Sequence, residues 1–379
     1  MISYQPAEEE RAFVNLARNF ADERVRPMAR ECEQNRRVDP DLVKKGCELG
    51  FMALELPESW GGMEMPLISQ VQILESLSFG DLAVVQGLPG PGDAASLIRL
   101  LPDSPVLKSY KNAGLDGCWP AVAFLHAADG VVPPTAKIKA VPQETGYVLS
   151  GTSQPLRLAA WADYLLIAVT DSEGEILILW LDKTHNRWHT VEGNCQLGLL
   201  AAGCARLHFD NEMVTQEQVL AKEREARDFL IQALARVHVV ESAKEVGIMQ
   251  AALSYAAEYT AYRKAFGQEI AKFQGVSFNL ADMAIETQAT RHLVWRSAVK
   301  IDGEGGQSAM GTLSRVHRSL RFVTDSAVQL LGGHGYVQEY PVEKWMRDAQ
   351  AQIILYGREG DLAARRGEQI LREHASAEV

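Results

Sequence analysis

The sequence predicts an α+β multidomain fold: an N-terminal helical domain, a middle antiparallel β-barrel or sandwich, and a C-terminal four-helix-bundle-like domain. Three observations carry this expectation. Apolar residues recur at helical spacing through roughly the first 110 residues. Six short β-rich runs then crowd into about ninety residues. From about residue 222 strong helix formers persist, with long stretches free of proline. The expected boundaries are 1–117, 118–221 and 222–379.

In the first region EEERAFVNLARNFADERVRPMAR sets Phe13, Leu16, Ala17 and Phe20 on one helical face ahead of Pro27. DPDLVKKGCELGFMAL opens with an Asp-Pro helix start and closes at Gly50; PESWGGMEMP is a loop, and PLISQVQILESLSFGD a further helix. GLPGPGD, residues 87–93, is a turn-rich break among these helices.

After Trp119 the strand candidates are AVAFLH, AKIKAV, YVLSG, DYLLIAVT, EILILWL and ARLHFD, bounded by Gly, Pro and Asp. Their density points to a small antiparallel barrel or sandwich whose apolar residues form a core. The last region holds EREARDFLIQALARVHVVESAKEVGIMQAALSYAAEYTAYRKAF, with a helix expected to end at Gly267. GVSFNLADMAIETQATRHLVWRSAVKI and SAMGTLSRVHRSLRFVTDSAVQLLGG follow, then an apolar helix with Trp345, Met346 and Ile353 after the Tyr340-Pro341 break.

Composition narrows the function classes. At 379 residues, with 47% hydrophobic against 23% charged residues, the chain can bury a core and is not a disordered polymer. A net charge of −11 argues against general nucleic-acid binding, which needs a basic surface. No apolar run approaches the ~20 residues that span a bilayer, and MISYQPAEEERAF lacks the order of a secretory signal. Five cysteines without a CxxC pair fit reduced thiols in a cytoplasmic protein, and the nine histidines form no metal-ligand pattern.

Two stretches suggest chemistry. Gly332-Gly333-His334-Gly335 follows a helix, and glycine lets main chain approach another group closely; such clusters also serve as plain helix caps. Arg263 stands near a helix end, where its guanidinium either grips a phosphate in bidentate fashion or is an ordinary surface arginine.

YRKAFGQEIAKFQGVSFNLADMA resembles the R-x-x-FG-x-x-I-x-x-FQ-x-x-x-x-x-LA-x-M segment of the acyl-CoA dehydrogenase family. QLLGGHGYVQEYPVEKWMRDA is similar to its Q-x-x-GG-x-GY segment ending in RDA, and GFMALELPESWGG to an N-terminal element of the same family. The resemblance runs nearly end to end. It implies FAD bound between subunits and removal of hydrogens from Cα and Cβ of an acyl-CoA thioester, with a carboxylate base taking the Cα proton. It further implies that Arg263 and Gln274 hold the FAD of a neighbouring subunit. Gln329, Gly332 and Gly333 would line its adenosine–pyrophosphate path. An oligomer, a tetramer by family, is expected.

The departures are equally specific. Seven residues after RDA, where the family places its catalytic Glu, this chain has Tyr356; a phenol with a pKa near ~10 is a poor base at neutral pH. Some members place the Glu ten residues before a glycine matching Gly247, and here that position is Val237. Glu241, one helical turn on from Val237, and Glu359, three beyond Tyr356, are the substitute candidates; each is otherwise a solvated carboxylate. The family's TEPGAGSD turn is replaced by LHAADGVVPP (125–134), whose Pro133 has no N–H, and its W-I-T by Pro155-Leu156-Arg157.

The half-site offered to a neighbour is thus kept while the β-domain half is altered. That split is similar to heteromeric members, and implies a non-catalytic chain paired with a paralogous subunit. The alternatives are an active homomeric flavoenzyme using Glu241 or Glu359 on an unusual substrate, and a structural or CoA-ligand-binding subunit.

Overall fold

The computed structural model describes residues 8–128, 137–191, 196–304 and 308–377. Helix α1 (Glu8–Phe20) passes through a π-helical turn at Ala21–Val25 into α2 (Arg26–Gln34). Pro27 therefore does not end the helix; it sits in the first turn of α2, where a missing N–H costs little. Asp39 caps α3 (Pro40–Glu48), its Oδ1 accepting from the amides of Asp41 (2.9 Å) and Leu42 (3.3 Å). Helices α4 (Leu67–Ser78), α5 (Leu82–Gly87), α6 (Ala95–Ile98) and α7 (Lys108–Ala113) complete the region.

All six predicted strands are present, as β1 (Val122–Ala127), β2 (Lys137–Gln143), β3 (Gly146–Thr152), β4 (Tyr164–Thr170), β5 (Ile176–Asp182) and β7 (Arg206–Thr215). Two short ones join them, β6 (His189–Val191) and β8 (Val219–Lys222). Of the expected antiparallel barrel or sandwich, the two-sheet arrangement is found, and one point is corrected, the direction of one strand pair. The strands form two four-stranded sheets, β1-β4-β5-β8 and β2-β3-β7-β6, and β1 pairs with β4 in parallel, Val122 opposite Tyr164. After β1 the chain builds the β2–β3 hairpin of the other sheet before returning, and that crossover brings β4 back in the direction of β1.

Leu165, Ile167 and Val169 of β4 face a core between the sheets, while Leu166 and Ala168 pack with Ile178 and Trp180 into the core shared with the helices. Burial on both faces explains why β4 and β5 read as continuous apolar runs.

Helix α8 (Glu223–Tyr262) is 40 residues long and packs on α4, α9 and α10. Surrounded on several sides, its middle is buried all round, charged residues included. It ends at Tyr262 and not at Gly267, which instead turns a two-residue hairpin between β9 (Lys264–Ala265) and β10 (Gln268–Glu269) with φ +85°. Helices α9 (Gln274–Glu304), α10 (Met310–Leu331), α11 (Val342–Tyr356) and α12 (Glu359–Ala377) follow, with a 3-10 turn at Gly332–Tyr336 joining α10 to α11.

Candidate active site

Where α5, α8, α11 and the loop after β3 meet, buried Arg157, Glu241 and Lys244 cluster with the half-buried Asp93 and Tyr356. The Tyr356 hydroxyl, at the end of α11, donates to Asp93 Oδ2 at 2.7 Å. Asp93 Oδ1 also takes Arg157 Nη1 at 3.1 Å, and Arg157 Nε donates to the Gln86 carbonyl at 3.2 Å. The turn-rich GLPGPGD segment makes this possible. Gly92 takes φ +50°, a conformation glycine enters without strain, and this turn carries Asp93 to the Arg157 guanidinium.

The second half of the cluster lies on α8. Glu241 is fully buried; its Oε1 pairs with Lys244 and lies 3.9 Å from Arg157 Nη1. Its Oε2 accepts from Gln86 and, at 2.9 Å, from Gln352 Nε2. Lys244 Nζ donates also to Gln86 Oε1 at 3.0 Å. Two carboxylates thus meet two cations with most lone pairs and protons matched, the condition under which buried charge is tolerated.

The electrostatics follow. Burial pushes the Asp93 carboxyl up, but Arg157, Lys244 and the Tyr356 hydroxyl outweigh it and hold the acid below its ordinary range. Burial raises Glu241 and lowers Lys244, each opposed by the other's charge. The Tyr356 phenol is driven well above its usual value by burial and by the charges of Asp93 and Glu241. It stays protonated and acts as a donor.

Beside the cluster is a cavity of ≈ 80 Å³ lined by Phe51, Leu74, Leu77, Val85, Leu88, Val237 and Val240, with Asp93, Arg157 and Lys244 among its polar walls. That is room for about three waters, at roughly 30 Å³ each. Val237 thus lies at the cavity, as its spacing from Glu241 implies. Glu241 is not the solvated carboxylate that a polar helix position allows; it is locked. Glu359 lies apart, at the start of α12, with Oε1 2.9 Å from Arg321 Nη1, and is not part of the buried cluster.

The candidate cofactor residues gather elsewhere, on the outside of the bundle. Arg263 caps the end of α8, Gln274 opens α9, and Gln329 lies in the last turn of α10, which Gly332 and Gly333 follow; all five are exposed. The Arg263 guanidinium has no hydrogen bond or ion pair among the described residues. A Cβ at Gly332 or Gly333 would meet nothing within 4 Å among the described residues, whereas one at Gly335 would lie 2.2 Å from the Val328 carbonyl. The fold therefore needs Gly335 for packing. It leaves Gly333 bare on the surface.

Two family models match the chain and together span more than half of it: acyl-CoA dehydrogenase, N-terminal domain, over residues 7–97, and acyl-CoA dehydrogenase, C-terminal domain, over residues 229–365. The chain belongs to the acyl-CoA dehydrogenase family. It is 28% identical over 360 residues to the short-chain specific acyl-CoA dehydrogenase of Sus scrofa mitochondria, covering 90% of this chain and 84% of that protein. It is 25% identical to benzylmalonyl-CoA dehydrogenase of Aromatoleum aromaticum, with coverage of 93% and 95%. Among solved structures, a chain from the electron transferring flavoprotein structure of Acidaminococcus fermentans superposes with TM-score 0.85 at 26% identity, covering 98% of this chain and all of that one. Butyryl-CoA dehydrogenase of Megasphaera elsdenii gives 0.81 at 25%, with the same coverage.

This is a family of FAD-containing oxidoreductases that dehydrogenate acyl-CoA thioesters and assemble as oligomers. The bare Gly333 and unpaired Arg263 fit the adenosine side of FAD. The segment standing for the family's flavin-ring contact does not fit that role. The Leu156 amide bonds the Ala205 carbonyl at 2.9 Å, and Arg157 turns inward to Asp93. Pro133 and its neighbours at 129–136 lie outside the described residues.

The sequence did not single out Gln86, Asp93, Lys244 or Gln352. One signal was available: Lys244 stands three residues after Glu241 inside a helix too apolar to solvate either.

Proposed function

We propose that this chain is the non-catalytic member of an unlike pair that carries out FAD-linked α,β-dehydrogenation of an acyl-CoA thioester. Arg263, Gln274, Gln329, Gly332 and Gly333 support the adenosine side of the cofactor, and a paralogous chain supplies the flavin pocket and the carboxylate base.

The hydrogen bond from Tyr356 to Asp93 carries this proposal. A general base for the Cα proton must be ionised and must hold a free lone pair towards the substrate. At the family's base position Tyr356 is protonated and already spends its proton on Asp93. Glu241, the nearest carboxylate on α8, has Oε1 held by Lys244 and Oε2 by two glutamine amides. Glu359 pairs with Arg321 through Oε1 at the start of α12, outside the buried cluster. When bound, the flavin supplies the hydride acceptor. This chain's residues would grip the cofactor's adenosine end and leave proton abstraction to the partner.

The test is co-expression with a paralogous acyl-CoA dehydrogenase chain, followed by visible spectroscopy and an acyl-CoA turnover assay. The expected result is flavin absorbance and turnover for the pair and no turnover for this chain alone. An active, FAD-loaded homo-oligomer of this chain would overturn the proposal.

A further inference from the structure

His334 stands between Gly333 and Gly335 and is held on two sides. Its Nδ1 lies 2.6 Å from the Tyr259 hydroxyl on α8. Its ring stacks on Tyr340 at 4.9 Å between centroids and 18° between planes. Tyr259 stands edge-on to both, at 85° to His334 and 90° to Tyr340. Arg30 of α2 secures the far side, with Nη2 donating to the carbonyls of Gln338 (2.8 Å) and Tyr340 (3.3 Å).

A glycine-rich turn has little of its own to hold it in one conformation, because glycine has the widest range of backbone angles to lose. Gly332 adopts φ +58°, ψ −133°, a region other residues rarely enter, and neither it nor Gly333 has a side chain to anchor the turn. A binding surface left that mobile must be ordered when the ligand arrives, at a cost in affinity. The His334 clamp removes that freedom. In either imidazole tautomer the contact with Tyr259 fixes the ring, and through it the backbone of the turn. Tyr259 lies four residues before Arg263, so the clamp also sets the distance between the glycine turn and the free guanidinium.

We propose that the Tyr259–His334–Tyr340 clamp is a positioning device that presents Gly332, Gly333 and Arg263 as one rigid surface to an adenosine diphosphate group. This rests on the reading above that the chain keeps the adenosine side of the FAD site. His334 acts through the backbone it holds.

The experiment is calorimetric titration of the full-length chain with ADP as the probe, alongside thermal melting, for the wild type and for H334A, H334N, Y259F and R263A. The wild type should bind ADP. H334A and Y259F should bind on the order of tenfold more weakly. H334N, whose amide oxygen can accept from Tyr259, should restore most of the affinity, and none of these changes should track the melting temperature. If R263A weakens binding while H334A does not, the adenosine site stands and the clamp is overturned. If affinity falls only in step with thermal stability, with no rescue in H334N, His334 is merely structural and the clamp is again overturned. If the wild type fails to bind ADP, or R263A binds as well as wild type, the adenosine-site reading itself fails and takes the clamp with it.

Discussion

Tyr356 and Asp93, 263 residues apart in sequence, share a hydrogen bond of 2.7 Å inside the protein. The residue at the base position is therefore a donor to an acid already paired with Arg157. Y356F should lower stability by about 1–3 kcal/mol, the usual cost of leaving a buried acceptor short of a partner. Turnover of a paired complex should be unchanged. Y356E, which recreates the family residue, should destabilise more, because it adds a third carboxylate beside Asp93 and Glu241. Urea denaturation and a turnover assay on both variants check this.

The Arg157–Asp93 pair is buried on both sides. R157A leaves Asp93 without its main countercharge and should cost about 3–5 kcal/mol. The double variant R157L/D93L removes both charges and should recover much of that loss. Denaturation midpoints of the wild type, R157A and the double variant check this, and a double variant no better than R157A would contradict the pairing.

Two histidines make stability depend on pH. Burial lowers His126 to about 4, against a small opposing effect of Asp93. Burial, with His126 and His317 nearby, lowers His238 to about 3. Both folded values lie below the unfolded value near ~6.5, so the unfolded chain binds protons first. Their contribution is present above pH ~6.5 and is lost as pH falls towards 4 and then 3. Between those limits each histidine should remove about 1.4 kcal/mol per pH unit. H238Q should flatten the pH dependence of the denaturation midpoint, and an unchanged slope would refute the assignment.

Three substitutions separate packing from cofactor contact. G335A should destabilise, since its Cβ would lie 2.2 Å from the Val328 carbonyl. G333A meets nothing within the chain and should melt like wild type, yet retain less flavin in the paired complex. R263A should also loosen FAD, by roughly 1.5–3 kcal/mol for a charge-assisted hydrogen bond. Flavin released per protein, read by absorbance against melting temperature, tells the three apart.

The outer face of α9 predicts assembly. Phe278 (62% exposed) and Ile285 (63%) stand seven residues apart, on one helical face. Phe266 at the adjoining hairpin is 97% exposed. Burying such side chains favours association. F278D/I285D should shift the particle to smaller mass in size-exclusion chromatography with light scattering, and an unchanged mass would place the interface elsewhere.

Local pattern by itself determined the helix, strand and helix order and the six main strands, while the family resemblance pointed to Arg263, Gln274, Gln329, Gly332 and Gly333, all of which the structure places on the surface. Those features repeat within a few residues, or lie in short segments whose glycines and capping residues have local meaning. The same resemblance set Tyr356 at the position where the family carries its carboxylate base. Pattern missed the π-turn that carries α1 past Pro27, because that depends on how the two helices pack. It missed the parallel β1–β4 pair, because strand direction depends on where the intervening hairpin goes. Only the tertiary structure decided what Tyr356 and Glu241 do. Glu241 reads in sequence as a polar helix position, yet α8 is covered on several sides and leaves it no exposed surface. Its charge must then be met by Lys244, Gln86 and Gln352, and that of Arg157 by Asp93. These partners come from four separate stretches of chain, so their meeting is a property of packing and not of any one segment.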